Sequence, residues 1–415
     1  MKKVSYLLFI VNVLIISATI FTFVSYENTF LMNMWNIPAC PPSFLDARQI
    51  GIAAESYAQG YDPLTENLYS SKGRYQGLNY PRIWQILFAT GVNQSHTNML
   101  GSIFAILFFV GVGIFWFSRK FDNLTYFILS IAILSPPVIL AIERGNIELV
   151  IFFVLAAALI IYYYSSMTGF LLFIFASILK LYPVFAFAVL LKEQKKKFLV
   201  LFILACIICT GYVLVTLDDL KQIYLIQPPN AKSSYGLNVF WMGLTHPRLL
   251  NLQLSDNVIT TFKVLSYIAL ILIFTGALIF SLRTNSNTFK QGEHLDAFRL
   301  GVGIYTGCFL IGTNYDYRLI FLIFTIPQLV AWLRNKEKGT SFVPLITLLA
   351  IVFSLWSFFI TRYLGQKLTF LLEEFANWII FAGMLYLFLA SVPDWFNGFL
   401  RRPLDRIMSL QTVHR

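Results

Sequence analysis

The stretch SFLDARQIGIAAESYAQGYDPL (Ser43–Leu64), followed by GLNYPR (Gly77–Arg82), is a polar island in a chain of nearly continuous apolar sequence. The chain has 415 residues and is 58% hydrophobic and 12% charged, whereas an ordinary soluble domain is about a quarter charged. Polar residues close to lipid cost free energy, so a long polar loop in such a chain indicates a function. The island offers side chains suited to chemistry on a polar substrate at a membrane surface, namely Asp46, Arg48, Glu55, Asp62, Tyr80 and Arg82.

Apolar runs close to spanning length surround this island, and a transmembrane helix needs about 20 such residues. They lie at 4–24, 98–118, 123–142, 147–164, 198–217, 258–282, 300–313, 317–333, 342–361 and 375–392. A further apolar stretch, 169–192, is interrupted by Lys180-Leu181-Tyr182-Pro183 and predicts two short helices that meet at the break. The pattern predicts an all-α polytopic membrane protein, a single integral domain over residues 1–415 with about twelve spanning or half-spanning helices.

Short basic loops set the predicted orientation, because cytoplasmic loops carry an excess of lysine and arginine. The basic residues fall on one face under this helix count: Lys2, Lys3, Arg119, Lys120, Lys192, Lys195, Lys196, Lys197, Arg334, Lys336, Lys338, Arg401, Arg402 and Arg406. Both termini are therefore predicted to be cytoplasmic in a multi-pass plasma (inner) membrane protein, and loops 25–97 and 218–257 to be extracytoplasmic. The net charge of +11 follows from these loops. The basic residues are spread over separate loops and form no continuous basic surface of the kind that binds nucleic acid, so no nucleic-acid partner is expected.

Asp46 has two open interpretations. Apolar residues at helical spacing after Ser43 predict an amphipathic helix on the outer interface, and Ser43-x-x-Asp46 matches a capping box, so the carboxylate could serve only the helix N-terminus. It could equally serve chemistry, since a helix N-terminus keeps a carboxylate ionised. At the end of the loop, Tyr80 is either an interfacial anchor or a site residue. The segment 83–92 that follows predicts a second interfacial helix.

Three later clusters fall on the same predicted face. Glu143-Arg144-Gly145-Asn146-Ile147-Glu148 joins two apolar helices, and its charges either pair locally or face a polar cavity. Lys180 either snorkels to the interface or binds a lipid phosphate. In Gly312–Arg318, GTNYDYR, the Arg318 guanidinium either pairs with Asp316 or grips a phosphate with two parallel donors.

The loop 218–257 is rich in proline, serine and aromatic residues, which is typical of an acceptor-binding segment. His246 within it is either a surface histidine or a ligand contact. The sequence contains no HExxH motif, no P-loop and no GxGxxG on a strand-to-helix turn, so neither a metal nor a nucleotide cofactor is expected.

Taken in order, these motifs resemble glycosyltransferase family 87, within the membrane-embedded GT-C superfamily. The matching segments are FLDARQIGIAAESYAQGYDPL, NYPRIW, ERGNIELVIFF, ILKLYPVFAFAVLLKEQKKK and GTNYDYRLIFLI, and the resemblance covers roughly residues 1–335. The resemblance implies a GT-C-type architecture and an enzyme that uses a polyprenyl-phosphate-linked sugar, often a mannosyltransferase. It also implies that Asp46 is the catalytic base. Departures at Tyr80-Pro81-Arg82, Lys180–Pro183 and Asn314–Arg318 leave the sugar and the acceptor open.

Elementary chemistry agrees with this implication, because glycosyl transfer needs a base for the acceptor hydroxyl and cations for the departing phosphate. The predicted donor-phosphate ligands are Arg318, Lys180, Arg82 and Arg144. The predicted sugar or acceptor contacts are Arg48, Tyr80, Glu143, Asn146, Tyr182, His246, Asn314, Tyr315, Asp316 and Tyr317. A single base with direct displacement implies inversion at the anomeric carbon. The expected partners are the lipid-linked donor, a glycolipid or glycan acceptor, and membrane lipids.

Two other functions remain open on the sequence. A transporter or flippase of lipid-linked sugars would show two halves of matching hydropathy and polar residues at the membrane centre, whereas the long loop occurs once and the polar clusters gather at one face. A ligase or polymerase of lipid-linked glycans would share the outer cations but place its main loop later in the chain.

Overall fold

The structure, a computed structural model, describes residues 2–26, 29–39, 41–66, 77–226, 229–284, 287–335 and 341–398. Its α-helices are α1 (Lys2–Tyr26), α2 (Phe30–Met34), α3 (Leu45–Ala58), α4 (Thr97–Ser118), α5 (Asn123–Ile133), α6 (Pro136–Arg144), α7 (Glu148–Tyr164), α8 (Ser166–Leu179), α9 (Lys195–Val215), α10 (Leu217–Ile226), α11 (Val239–Thr245), α12 (Asp256–Arg283), α13 (Asn287–Lys290), α14 (Leu295–Ile311), α15 (Ile326–Arg334), α16 (Phe342–Leu355), α17 (Ser357–Leu364) and α18 (Gln366–Ala390). The 3₁₀ helices are Arg82–Thr90, Gln94–His96, Tyr182–Lys192 and Asp316–Thr325. Two short strands, β1 (Ser234–Tyr235) and β2 (Asn314–Tyr315), pair antiparallel.

The protein is an all-α multi-span membrane protein. Among the described residues, six helices are long and apolar enough to cross a membrane, or up to eight if each of two bent helix pairs is one span. The bent pairs are α5–α6, with a 47° bend, and α16–α17, with a 72° bend. The first bend falls where Pro136 and Pro137 start α6, because proline cannot continue the preceding helical hydrogen bonds. The predicted total of about twelve helices stays a prediction, since α7, α8 and 182–192 are shorter apolar helices.

The predicted break in 169–192 is present. Helix α8 ends at Leu179, Lys180 has an extended backbone, and the 3₁₀ helix 182–192 begins with Pro183 at its second residue. Pro183 has no N–H to donate to the carbonyl of Leu179, four residues earlier, so an α-helix cannot continue unbroken through this point. The predicted second interfacial segment, 83–92, corresponds to the 3₁₀ helix Arg82–Thr90.

Basic residues from separate loops meet at one end of the helix bundle, which we call the basic end. Arg119 Nη2 lies 2.7 Å from Asp296 Oδ2, and Arg334 pairs with Asp122. This clustering agrees with the grouping expected from the sequence, although the side of the membrane stays a prediction. Lys336, Lys338, Arg401, Arg402 and Arg406 lie outside the described residues.

Candidate active site

Phe44 fixes the start of α3, the helix that carries Asp46. It adopts a left-handed backbone conformation with φ of 57°, and its N–H donates to the carbonyl of Glu143 at 2.8 Å. Gly145 lies opposite with φ of +58°, and a Cβ there would come within 3.1 Å of the Phe44 Cβ. Only glycine combines that conformation with so close an approach, so the turn at 143–146 and the start of α3 form one unit.

Asp46 points into this turn. Its Oδ2 accepts a hydrogen bond of 2.6 Å from the Asn146 side-chain amide, and Asn146 Oδ1 in turn accepts the Glu148 backbone N–H at 3.0 Å. The other oxygen of Asp46, Oδ1, accepts no hydrogen bond from the described residues. Burial raises the pKa of Asp46 above its ordinary value, although Arg144, the Asn146 hydrogen bond and Lys180 lower it.

The capping interpretation of Asp46 is wrong. The N-cap position of α3 is Phe44, no side chain caps the helix there, and Asp46 lies in the first turn. The Ser43 hydroxyl instead donates to Asn98 at 3.4 Å. Asp46 is therefore held by a tertiary contact across 100 residues of sequence.

Glu148 is the centre of a buried charge cluster beside Asp46. Its side chain is completely buried, and its Oε1 accepts from Lys180 Nζ at 2.8 Å and from Arg318 Nε at 3.1 Å. The Tyr182 hydroxyl donates to Oε2, and Arg318 lies 4.6 Å from the centre of the Tyr182 ring. Two cations thus share one carboxylate, which leaves the cluster of Glu148, Lys180, Arg318 and Tyr182 (the Glu148 cluster) with an excess positive charge.

The Arg318–Asp316 pair expected as one alternative is absent. Arg318 donates to Glu148 and to Asn314 Oδ1, and Asn314 is itself held by the Cys308 carbonyl at 2.5 Å. These two bonds use one N–H on Nε and one on Nη1, so both N–H groups of Nη2 and the second N–H of Nη1 have no partner among the described residues and could together bind a phosphate. Lys180 does not extend to the membrane interface as the snorkelling alternative expected, because its ammonium group forms an ion pair with Glu148.

Asp316 faces away from the Glu148 cluster. It is 1% exposed and neither of its carboxylate oxygens has a hydrogen-bond partner among the described residues. It lines a separate cavity of about 290 Å³ together with Glu373 on α18. Its predicted contact with the sugar at the Asp46 site therefore loses support.

Two other predicted arginines also lie elsewhere. Arg82 is paired with Asp62 at 2.9 Å and with Asp219 at 2.8 Å, and this pairing holds the pKa of Asp62 below its ordinary value. Arg48 donates twice to Gln94 Oε1, at 3.0 and 3.2 Å. Neither guanidinium joins the Glu148 cluster, because each is already engaged by partners distant in the sequence.

Three tyrosines, Tyr80, Tyr315 and Tyr317, lie near Asp46. Tyr80 is 2% exposed with its hydroxyl unpartnered among the described residues, and Lys180 lies 5.6 Å from its ring centre. It is therefore buried rather than an interfacial anchor. Tyr315 and Tyr317 stack with ring centres 5.4 Å apart. Tyr182, by contrast, has its hydroxyl occupied by Glu148, so it supports the cluster and is not free for a sugar.

Tyr315 also lines a cavity of about 410 Å³ that His246 and Asn230 of the 218–257 loop border. The ring of His246 accepts the Arg248 backbone N–H at 3.1 Å, so one of its nitrogens is engaged locally. Glu143, the remaining predicted contact, is fully buried and forms an ion pair with Arg144 at 3.3 Å. This matches the local-pair alternative for that turn.

The most important residue missing from the predicted set is Glu148. The available signal was an acid at the start of an apolar helix, which needs a partner in a membrane protein, and Lys180 is the only charged residue in the interior of the apolar stretch 169–192. Gln94, whose Oε1 accepts two bonds from Arg48 and whose amide donates to Glu55, was also missing. The described residues include no group of three or more His, Cys, Asp or Glu side chains suited to a metal ion.

Comparisons with known proteins give little further information. No family model matches the chain, and no curated protein matches it. Among solved structures, the chain is similar to ArnT from Cupriavidus metallidurans in the apo state, with a TM-score of 0.36 and 11% identity over 91% of this chain and 78% of that chain. A similarity this distant establishes neither a family nor a substrate, and the resemblance to glycosyltransferase family 87 stays a prediction.

Proposed function

We propose that this protein is an inverting glycosyltransferase of the GT-C type that moves a sugar from a polyprenyl-phosphate-linked donor to a lipid-linked or glycan acceptor. The transfer takes place on the extracytoplasmic side of the membrane. The observation that carries the proposal is a partly buried carboxylate, Asp46, with one oxygen unpartnered among the described residues, beside the positively charged Glu148 cluster. A base and a phosphate site are the two elements that such a transfer requires.

In the proposed reaction, Asp46 Oδ1 accepts the proton of the acceptor hydroxyl while that oxygen bonds to the anomeric carbon. The bond from the anomeric carbon to the phosphate oxygen breaks, and polyprenyl phosphate leaves with the electron pair. Lys180 and Arg318 stabilise the charge that develops on that phosphate, an interaction stronger in the transition state than in the ground state. Attack opposite the leaving group inverts the anomeric carbon, and the hydroxyl proton can leave late because the transition state is oxocarbenium-like.

The Asn146 amide is expected to tune the base. Transfer requires ionised Asp46 and is lost as the pH falls through the pKa of this carboxyl group. The hydrogen bond from Asn146 lowers that pKa, so Asn146→Ala should raise it and move the acidic limb of the kcat/KM profile to higher pH. Gln94→Ala is the matched control, because Gln94 contacts α3 through Arg48 and Glu55 but not Asp46. An unmoved acidic limb in Asn146→Ala would remove Asp46 as the titrating base.

The proposed orientation can be tested by labelling. In a variant without the native cysteines, Gln59→Cys at the end of α3 should react with an impermeant thiol reagent in intact cells. Gln194→Cys, in the basic loop before α9, should react only after the cells are opened. Both positions are exposed, so accessibility within the protein is matched. Reversed labelling would place the Asp46 end in the cytoplasm and contradict the proposed side of the reaction.

The function itself is tested with purified protein and a panel of polyprenyl-phosphate-linked sugars, using membrane lipid extract as the acceptor. Release of polyprenyl phosphate together with a lipid that is one sugar heavier is the expected result. Lipid profiles of a deletion strain should show the same acceptor short by one sugar. Movement of an intact lipid-linked sugar across a vesicle membrane, with no bond cleaved, would instead support the flippase alternative.

A further inference from the structure

A large cavity lies at the basic end, opposite the Asp46 site. Its volume is about 810 Å³, and it is bordered by the ends of α4 and α7, by residues 191–192, and by the segment 290–299 that leads into α14. The lining contains five cations, Arg119, Lys120, Lys192, Lys290 and Arg299, against two carboxylates, Glu293 and Asp296. The wall therefore carries an excess of three positive charges.

Part of this charge is compensated within the protein. Arg119 pairs with Asp296 at 2.7 Å, and Lys290 pairs with Asp394. Lys120, Lys192 and Arg299 form no ion pair among the described residues. Lys192 instead lies 4.2 Å from the centre of the Tyr162 ring, and Lys120 is exposed. These three cations and Glu293 remain after the two ion pairs, so the cavity keeps a net excess of two positive charges.

Arg299 supplies the observation that points to a ligand. It is only 4% exposed, and its Nη2 donates to the Ser391 carbonyl at 2.5 Å, while its Nε has no hydrogen-bond partner among the described residues. The Nε of Arg119 and the Nδ1 of His294, on the same wall, are also unpartnered. The Nε–H groups of Arg119 and Arg299 are donors, and a buried donor without an acceptor is costly, so an anion with several acceptor oxygens would satisfy both.

We propose that this cavity binds a phosphate group, as a second ligand site separate from the proposed transfer reaction. Phosphate fits because guanidinium and ammonium donors bind its oxygens with charge-assisted hydrogen bonds. The headgroup of an anionic phospholipid is the favoured source, since Tyr163 and Tyr164 on the same wall are 79% and 82% exposed. Tyrosine at that position is typical of the level of lipid headgroups, and basic pockets between membrane helices bind such headgroups.

The test uses the full-length chain in detergent after removal of native lipid. Dioleoyl phosphatidylglycerol, dioleoyl phosphatidylcholine and inorganic phosphate are titrated separately while thermal unfolding is followed. Phosphatidylglycerol is expected to raise Tm, whereas phosphatidylcholine, whose phosphate charge is balanced by choline, is not. If only inorganic phosphate raises Tm, the site still binds a phosphate group, but its ligand is a soluble phosphate and not a lipid headgroup.

The variant K120Q/K192Q removes two of the uncompensated charges at exposed positions, so the fold is expected to survive. The affinity for phosphatidylglycerol should fall about 25-fold, on the basis of about fivefold for each basic residue near an anionic headgroup. Lys263→Gln is the matched control, because Lys263 is exposed and also stacks on an aromatic ring, Trp241, at 5.5 Å, but it does not line this cavity. Equal stabilisation by both lipids, no stabilisation by any of the three probes, or unchanged affinity in K120Q/K192Q would overturn the proposal.

Discussion

Asp46→Asn is expected to reduce sugar transfer by at least about 100-fold, the usual scale for loss of a general base. The substituted side chain keeps its shape and still offers an oxygen to the Asn146 amide. It cannot accept the acceptor's proton, so kcat should fall while the free energy of unfolding changes little. Turnover by the purified variant and its thermal unfolding measure the two quantities together.

Asp62→Asn is the control for this experiment. Asp62 lies in the same predicted loop and is also an acid, but it is paired with Arg82 at a partly exposed position. Transfer by this variant should stay close to that of the wild type. Near-normal turnover by Asp46→Asn, or an equal loss in both variants, would remove Asp46 from the role of base.

The second large effect is expected in the Glu148 cluster, where one substitution should mainly lower the free energy of unfolding and another should mainly lower the rate of sugar transfer. Glu148→Ala leaves Lys180 and Arg318 partly buried and unpaired, so it should destabilise the protein by about 3–5 kcal/mol. Arg318→Ala leaves the Lys180–Glu148 pair in place and should be less destabilising. It should nevertheless reduce transfer by about 100-fold or more, the scale for removing one donor that stabilises transition-state charge, and weaken donor binding.

Arg318→Lys should reduce sugar transfer less than Arg318→Ala does, because the positive charge remains while the planar arrangement of donors is lost. Arg82→Ala is the matched control: it removes an arginine with two ion pairs at a partly exposed position, where such pairs contribute about 0–1 kcal/mol. Its transfer activity should be normal. If Arg318→Ala turns over normally, Arg318 serves only to support Glu148, and the proposed phosphate contact fails.

The sequence was sufficient for features that depend on local chemistry. Apolar runs predicted the helices, and Pro183 with Lys180 predicted the break between α8 and the 3₁₀ helix that follows. The sequence also selected both Asp46 and Asn146, yet nothing local indicates that these side chains meet. Their contact depends on how Phe44 packs against Gly145, which is a property of tertiary structure.

The failures have the same physical origin. Asp316 and Arg318 are two residues apart, and side chains at that spacing on a helix do not face each other, so the 3₁₀ helix starting at Asp316 directs them to different surroundings. Arg82 has the sequence context of a phosphate ligand, because its partner Asp219 lies 137 residues later and cannot be recognised from the sequence. Glu143 and Glu148 are both acids in one short turn, and the local sequence does not show which of them joins the charge cluster. The position of Lys180, which pairs with Glu148, decides this.

The β1–β2 pairing restricts how this protein could be re-engineered. Ser234 pairs with Tyr315 and Tyr235 with Asn314, and the Asp316 N–H donates to the Ser233 carbonyl at 3.0 Å. The 218–257 loop is thereby attached by backbone hydrogen bonds to the turn that carries Arg318. A chimera that exchanges this loop to alter acceptor choice should keep 233–235 or transplant 314–318 with it, because a graft that breaks the ladder would also displace the guanidinium.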